Sequence, residues 1–408
     1  MKKFYIIILI AIITYLIPTT AKASNVDALT DKSDFVKQNE PIKLASSTTS
    51  QEEIISSQTD ALGISTFLSD SEKYTQDTFG DIDISELFTQ SLSGNIDNNA
   101  IMKIVFALLG DNVKTALTTI ASVMVVVIIH SILKAISENL GNENVSKIAY
   151  YIEYILIITL VMANFSSIIT EMKQAVQNLT GFANTLIPLM ITLMITTGNI
   201  VSSGMLQPIL LLLITFISNF LTNILIPIAL VSTALGIISK ISEQAQVGKL
   251  SKFLNSSMVW ILGTVLTLFV SVTSLEGGLT SSIDGVTAKA AKTAISSVVP
   301  VIGSILGDAV NTIMGCSNII KNAVGVVGIV VILAICIRPI LQLAVLTITY
   351  YLGAALCEPI ADEKVVGILE QMGGTFKIFL AVMFALTAML IIGIAIVMKI
   401  SNSGLMYG

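Results

Sequence analysis

From residue 113 onward the chain alternates long apolar runs with short polar interruptions, whereas polar residues dominate before that point. The runs 113–136, 148–169 and 258–275 are each long enough to cross a hydrocarbon core of about 30 Å at about 1.5 Å per residue. The run 205–238 would extend about 50 Å as one straight helix, too far for a bilayer without strong tilt. A break at Pro227 into a hairpin or re-entrant pair is the preferred solution, with one tilted, kinked helix as the other. Lys240, Lys249 and Lys252 follow this run, and an even number of crossings there would place them in the cytoplasm. With 376–398 as the last span, the pattern predicts an all-α polytopic membrane protein of about 7 transmembrane segments, within about 6–8.

Two parts of this region share their punctuation. Pro188, Asn199 and Pro227 recur as Pro300, Asn311 and Pro339 at a constant offset of 112 residues. This predicts an internal repeat of proline-broken helices, with copies at about 182–275 and 295–398. Broken backbone at membrane depth is tolerated where protein or a wet cavity covers it, so paired breaks point to a passage or an inter-subunit contact. The alternative is that the prolines merely kink their helices. Arg338 has Ile226 as its counterpart, so the copies differ chemically; a guanidinium must reach an interface, a carbonyl cluster or a water-filled cavity.

The amino-terminal part reads differently. Lys2 and Lys3, an apolar run over 4–16 and Ala21-Lys22-Ala23 have the form of a cleavable signal peptide, 1–23; an uncleaved anchor is the alternative. Residues 24–111 then form an extracytoplasmic leader. Up to about residue 60 it is too polar to offset the entropy of folding and reads as a disordered tether. Beyond Asp81, Ile84, Leu87 and Leu92, then Ile101, Ile104, Val105 and Leu108, recur at helical spacing. They predict amphipathic helices lying on the membrane or on an extracytoplasmic partner, or else a solvated leader. The polytopic domain occupies 112–408.

Composition sharpens this division. The chain is 54% hydrophobic and 12% charged over 408 residues, with net charge −5. Residues 24–111 hold 15 acids against 5 lysines, whereas 112–408 hold 12 acids against 14 bases. The acidic character belongs to the leader, and with no basic cluster interleaved with aromatics nucleic-acid binding is not expected. Cys316, Cys336 and Cys357 lie far apart in apolar surroundings and read as packing residues. His130 and Glu153 are isolated ionisable groups on the first two spans, the latter beside interfacial tyrosines. Leu279, Ile283, Val286, Ala290 and Ala294 share one helical face and Lys289 and Lys292 another, which predicts a basic amphipathic helix. Gly303 and Gly307 form a GxxxG step for close packing, and Asp308 is a carboxylate that lines a wet path or sits at a helix end. Phosphate-loop, HExxH and GxSxG motifs are missing, so no enzyme activity, cofactor or metal is expected.

The run DGVTAKAAKTAISSVVPVIGSILGDAVNTIMGCSNIIKNAVG, residues 284–325, continues into Arg338-Pro339 and Glu358-Pro359 and resembles the stage III sporulation protein AE family of endospore-forming bacteria. The order of signal peptide, polar leader and polytopic domain agrees over nearly the whole length. The resemblance implies a multi-pass protein of the mother-cell membrane facing the forespore. It further implies a place in a transenvelope, secretion-like channel complex with other stage III proteins, including a cytoplasmic ATPase. A homo-oligomer in membrane lipid is expected. Pro188, Pro227, Pro300, Pro339, Asn199, Asn311, Asp308 and Arg338 are the candidate helix breaks or pore-lining residues. The competing reading is a secondary transporter with its site between two repeats of discontinuous helices.

Overall fold

The computed structural model describes residues 51–76, 83–94, 143–241, 247–298 and 302–405, together with helical positions scattered through 113–132. All of these lie in one unit, Thr49–Gly408. The signal-like start, the tether up to residue 50, the apolar positions 101–108, His130 and Pro300 fall outside the described residues. No strand occurs among the described residues. Three short helices come first: α1 (Gln51–Ala61), α2 (Ile64–Thr75) and α3 (Ile84–Ser93). Six longer ones follow: α4 (Glu143–Thr196), α5 (Ile200–Phe220), α6 (Ile226–Ile241), α7 (Gly248–Val298), α8 (Ile302–Cys357) and α9 (Glu363–Leu405).

Five stretches among the described residues are long and apolar enough to cross a membrane: Phe165–Thr196, Ile200–Lys240, Gly248–Thr273, Val310–Cys357 and Glu363–Ile400. The hairpin expected at Pro227 does not form. A π turn, Leu221–Leu225, joins α5 to α6 without reversal, and the Ile226 N–H bonds back to the Leu221 carbonyl. Proline has no N–H to give the ladder, and the wider turn just before Pro227 absorbs that loss within a continuous helix. Pro188 and Pro339 likewise stand inside α4 and α8. The run 148–169 and the start of the first copy at 182 are parts of the single helix α4.

The helices run antiparallel between two ends. α8 and α9 form the central pair, with buried stripes at helical spacing: Ile320, Val324, Val327 and Val331 on α8, and Val382, Leu386, Met389 and Val397 on α9. Near one end Tyr350 meets Phe376 at 5.2 Å between ring centroids; near the other the Lys321 ammonium reaches the carbonyls of Val397 and Met398. α4 enters the bundle with Phe165 against Phe376 and Phe379 and climbs to Phe182, which meets Phe67 and Tyr74 of α2. α5 and α6 descend to Thr233, whose hydroxyl meets that of Thr375, and α7 rises again from Ser251 to Asp284. Two ends result: a leader end, holding α1–α3 and the far end of α9, and an opposite end, holding the α6–α7 and α8–α9 connections.

The leader helices differ from expectation in both extent and partner. Helix α1 lies within the stretch read as tether, and Gln58 exchanges hydrogen bonds with the Ile313 carbonyl (3.4 Å) and the Ser317 hydroxyl (3.2 Å) of α8. The apolar residues Ile64, Phe67, Leu68, Ile84, Leu87 and Phe88 are buried in the core shared with α4 and α8. For segments in water such burial is worth about 1.5–3 kcal/mol per large side chain, which is why a sequence so polar on average still folds. The helical spacing at Ile84 and Leu87 is therefore satisfied by the chain's own helices. Asp83 caps α3, accepting from the Ser85 and Glu86 N–H groups at 2.8 and 3.2 Å.

Candidate functional site

The break in the bundle is made by glycine, ten residues beyond Pro188. Gly198 stands at φ 85°, a left-handed conformation that L side chains rarely adopt. Its N–H bonds to the Ile195 carbonyl (2.9 Å) while the Asn199 N–H bonds to the Met194 carbonyl (3.0 Å). This crossed pair closes the end of α4. Helix α5 then begins at once, with Asn199 at its cap position.

Asn199 does not act as the cap. Its side-chain amide turns back to the Thr197 hydroxyl (3.0 Å). The first N–H groups of α5 are taken by Asp284 of α7, whose two carboxylate oxygens accept from Val201 (2.9 Å) and Ser202 (3.0 Å). Asp284 is 2% exposed, so the carboxylate is paid for by backbone donors and by the positive end of the α5 dipole. The joint is tight on its other side as well: a Cβ on Gly198 would lie 2.6 Å from the Met314 methyl of α8. Thr197, Asn199, Ser202 and Ser203 are all buried here, and the Ser202 hydroxyl has no hydrogen-bond partner among the described residues.

A second buried charge lies along α8 from this joint. Lys321 is fully buried, and its ammonium donates to the Val397 and Met398 carbonyls at 3.3 and 2.9 Å. Main-chain carbonyl oxygens carry partial negative charge, so they favour a cation at this point. At the opposite end a hydroxyl network replaces charge. The Ser232 hydroxyl reaches Asn255 (2.7 Å), Ser251 donates to the Ser232 carbonyl (2.7 Å), and Gln371 donates to Ser251 (3.4 Å). Between the two ends is a small crevice lined only by apolar groups, among them Leu186, Met190, Leu210, Phe269, Ile332 and Gly393.

The residues singled out by sequence scatter across this frame. Asn199 is at the joint, whereas its counterpart Asn311 is half-buried within α8, so the offset pair does not share a conformation. Pro188, Pro227 and Pro339 lie in continuous helix. Gly303, Gly307 and Asp308 are in the first turns of α8. Arg338 is exposed on the outer face of α8. The three cysteines are buried and unpaired, as expected of packing residues. Asp284 and Lys321 were not anticipated as sites. A charged residue bordered by apolar positions is the available signal, but both partners are backbone groups, which carry no side-chain signature. No group of metal-ligating side chains occurs among the described residues.

The sequence model of the family described as stage III sporulation protein AE matches residues 82–401. A curated relative, "Stage III sporulation protein AE" of Bacillus subtilis (strain 168), is 27% identical over 305 residues, covering 75% of this chain and 76% of its own length. No solved structure matches the chain.

Proposed function

Because the chain belongs to the stage III sporulation protein AE family, a family of sporulation membrane proteins, we propose that it is a non-enzymatic membrane subunit of a transenvelope channel complex. That complex would link mother cell and forespore, in the mother-cell membrane. Other stage III proteins, including a cytoplasmic ATPase that supplies the energy, would be its partners. The observation that carries this reading is the closed interior. Phe165, Phe182, Phe269, Tyr350, Phe376 and Phe379 fill the bundle of described residues, and the crevice beside Phe269 is apolar and small. A conduit for polar cargo through one copy would need wet, convergent polar groups. A passage therefore forms between copies, or between this chain and its partners.

The alternative of a self-sufficient permease asks for discontinuous helices around a vacant central site. Support for it is thinner. The carboxylate of Asp284 and the ammonium of Lys321 already have backbone partners, and Pro188 and Pro339 leave their helices continuous. Single-particle electron microscopy of the purified protein in lipid nanodiscs separates the two. A symmetric ring with a central opening is expected; a compact monomer or dimer with a closed site between helices would move the assignment to a carrier.

A further inference from the structure

We infer that the leader end of the bundle is its extracytoplasmic face, and that the end of α9 lies on that same face. The inference stands apart from the channel role, because it uses only the direction of the helices and their charges. The first half rests on α1–α3. Gln58 is bonded to Ser317 and Ile313, and Phe67 and Tyr74 pack on Phe182, 14 residues before α4 ends, so the leader is fixed on the half of the bundle where α4 finishes and α8 begins. The second half rests on Lys321. It lies one helical turn from Ser317 on α8, and it holds the carbonyls of Val397 and Met398. The far end of α9 is thereby tied to the leader's end of the bundle, while Gln371, near the start of α9, is bonded to Ser251 at the other.

Charge gives the sign. A leader of this length is translocated largely regardless of its lysines, so the bases near the helix ends are the ones that count. Lys240, Lys249, Lys252 and Lys377 are exposed at the opposite end, and Lys364 stands at the start of α9 beside them. The leader end offers Lys289, Lys292 and Lys399. The bias places the opposite end in the cytoplasm, and it agrees with a signal-like start that delivers the acidic leader outside. A cytoplasmic partner would then meet the ends of α6, α7, α8 and α9. The joint at Gly198, the Asp284 cap and the leader would face the extracytoplasmic space. From Lys321 to Ile302, α8 alone extends about 28 Å on that side.

Single-cysteine accessibility tests this in intact protoplasts with a membrane-impermeant maleimide. The natural cysteines are buried, so the unaltered chain provides the background. Glu86→Cys on α3 and Lys399→Cys on α9 should be labelled without permeabilisation, and Lys249→Cys on α7 only after it. Protection of Lys399→Cys while Glu86→Cys reacts would overturn the shared face. Labelling of Lys249→Cys alone would overturn the orientation and leave the shared face standing. If a variant fails to accumulate, alkaline phosphatase fused after Gly408 gives the same answer: activity supports the inference and inactivity with a stable fusion overturns it.

Discussion

Replacing Asp284 tests whether the joint between α4 and α5 is held from outside by α7. The carboxylate accepts from Val201 and Ser202 at 2.9 and 3.0 Å, with Ser202 fully buried. Hydrogen bonds to a charged group contribute about 1.5–3 kcal/mol each, and a buried N–H left alone costs about 1–3 kcal/mol. Truncation also removes the desolvation penalty of the carboxylate itself, which offsets part of the loss. Asp284→Ala should therefore destabilise the joint by about 3 kcal/mol, while Asp284→Asn, which keeps one acceptor, should cost about 1–2 kcal/mol. The natural cap residue cannot take over, because the Asn199 amide is committed to Thr197. Hydrogen exchange of the peptide spanning 197–206, followed by mass spectrometry in nanodiscs, reads this directly. About 3 kcal/mol corresponds to a loss of about two orders of magnitude in protection. The alanine and asparagine variants should rank in that order, with α9 peptides unaffected. Unchanged protection at Val201 and Ser202 in Asp284→Ala would refute the cap.

Substitutions at four other positions probe the packing. Gly393→Ala should be neutral or stabilise the bundle by up to about 1 kcal/mol, because its Cβ would meet Phe269 and Leu210 at 3.5 and 3.6 Å, ordinary contact distances, and alanine is the better helix former; a lowered thermal midpoint would contradict the packing described. Gly236→Val should lower that midpoint, since even a Cβ there would lie 2.4 Å from the Gln371 amide nitrogen, so the side chain must leave Ser251, and overpacking costs about 1–3 kcal/mol. Lys321→Met should fold nearly as well as the natural chain, because a similar volume fills the site without a buried charge, whereas Lys321→Glu, which sets a carboxylate against the carbonyls of Val397 and Met398, should not accumulate in the membrane. Phe182→Ala removes the surface on which Phe67 and Tyr74 rest, and limited proteolysis should then cut between α2 and α3 faster; an unchanged rate would mean that α8 alone holds the leader.

Apolar runs told where the helices are, because length and hydropathy are properties of a segment by itself. They told less about where helices stop. Pro339 was read as a break, yet losing one ladder bond inside a helix packed on α9 leaves the helix intact. The true break lies at Thr197-Gly198-Asn199, in a Gly-Asn step that marks a turn in any context. Residues up to about 60 read as a disordered tether from their polarity, yet α1 (Gln51–Ala61) is helical, and the apolar residues just beyond it, Ile64 and Phe67, are buried because a surface on α4 and α8 receives them. The Asp284 and Lys321 contacts were illegible for a different reason. Each pairs a side chain with main-chain atoms about 80 residues away, and a main-chain acceptor or donor looks the same in every sequence.

The distribution of charge constrains where any chemistry can occur. Inside the bundle two of the charges are bound to main-chain groups and hold helices together, Asp284 at the start of α5 and Lys321 along α9, while Glu171 on α4 is half-buried with one carboxylate oxygen unpartnered among the described residues. Outside it, Arg338 is exposed on α8 with the apolar residues Leu333 and Ile348 exposed on either side. It stands 17 residues from Lys321 and 19 from Cys357, about 26 and 28 Å along the helix, and so near the middle of the apolar stretch Val310–Cys357. Helical side chains lean toward the amino-terminal end, here away from the nearer cluster of lysines, so snorkelling to that surface works against the rotamer. A guanidinium held there is satisfied by water or by another protein surface rather than by lipid tails. Arg338 is therefore a charge whose position on the described surface calls for contact beyond lipid tails.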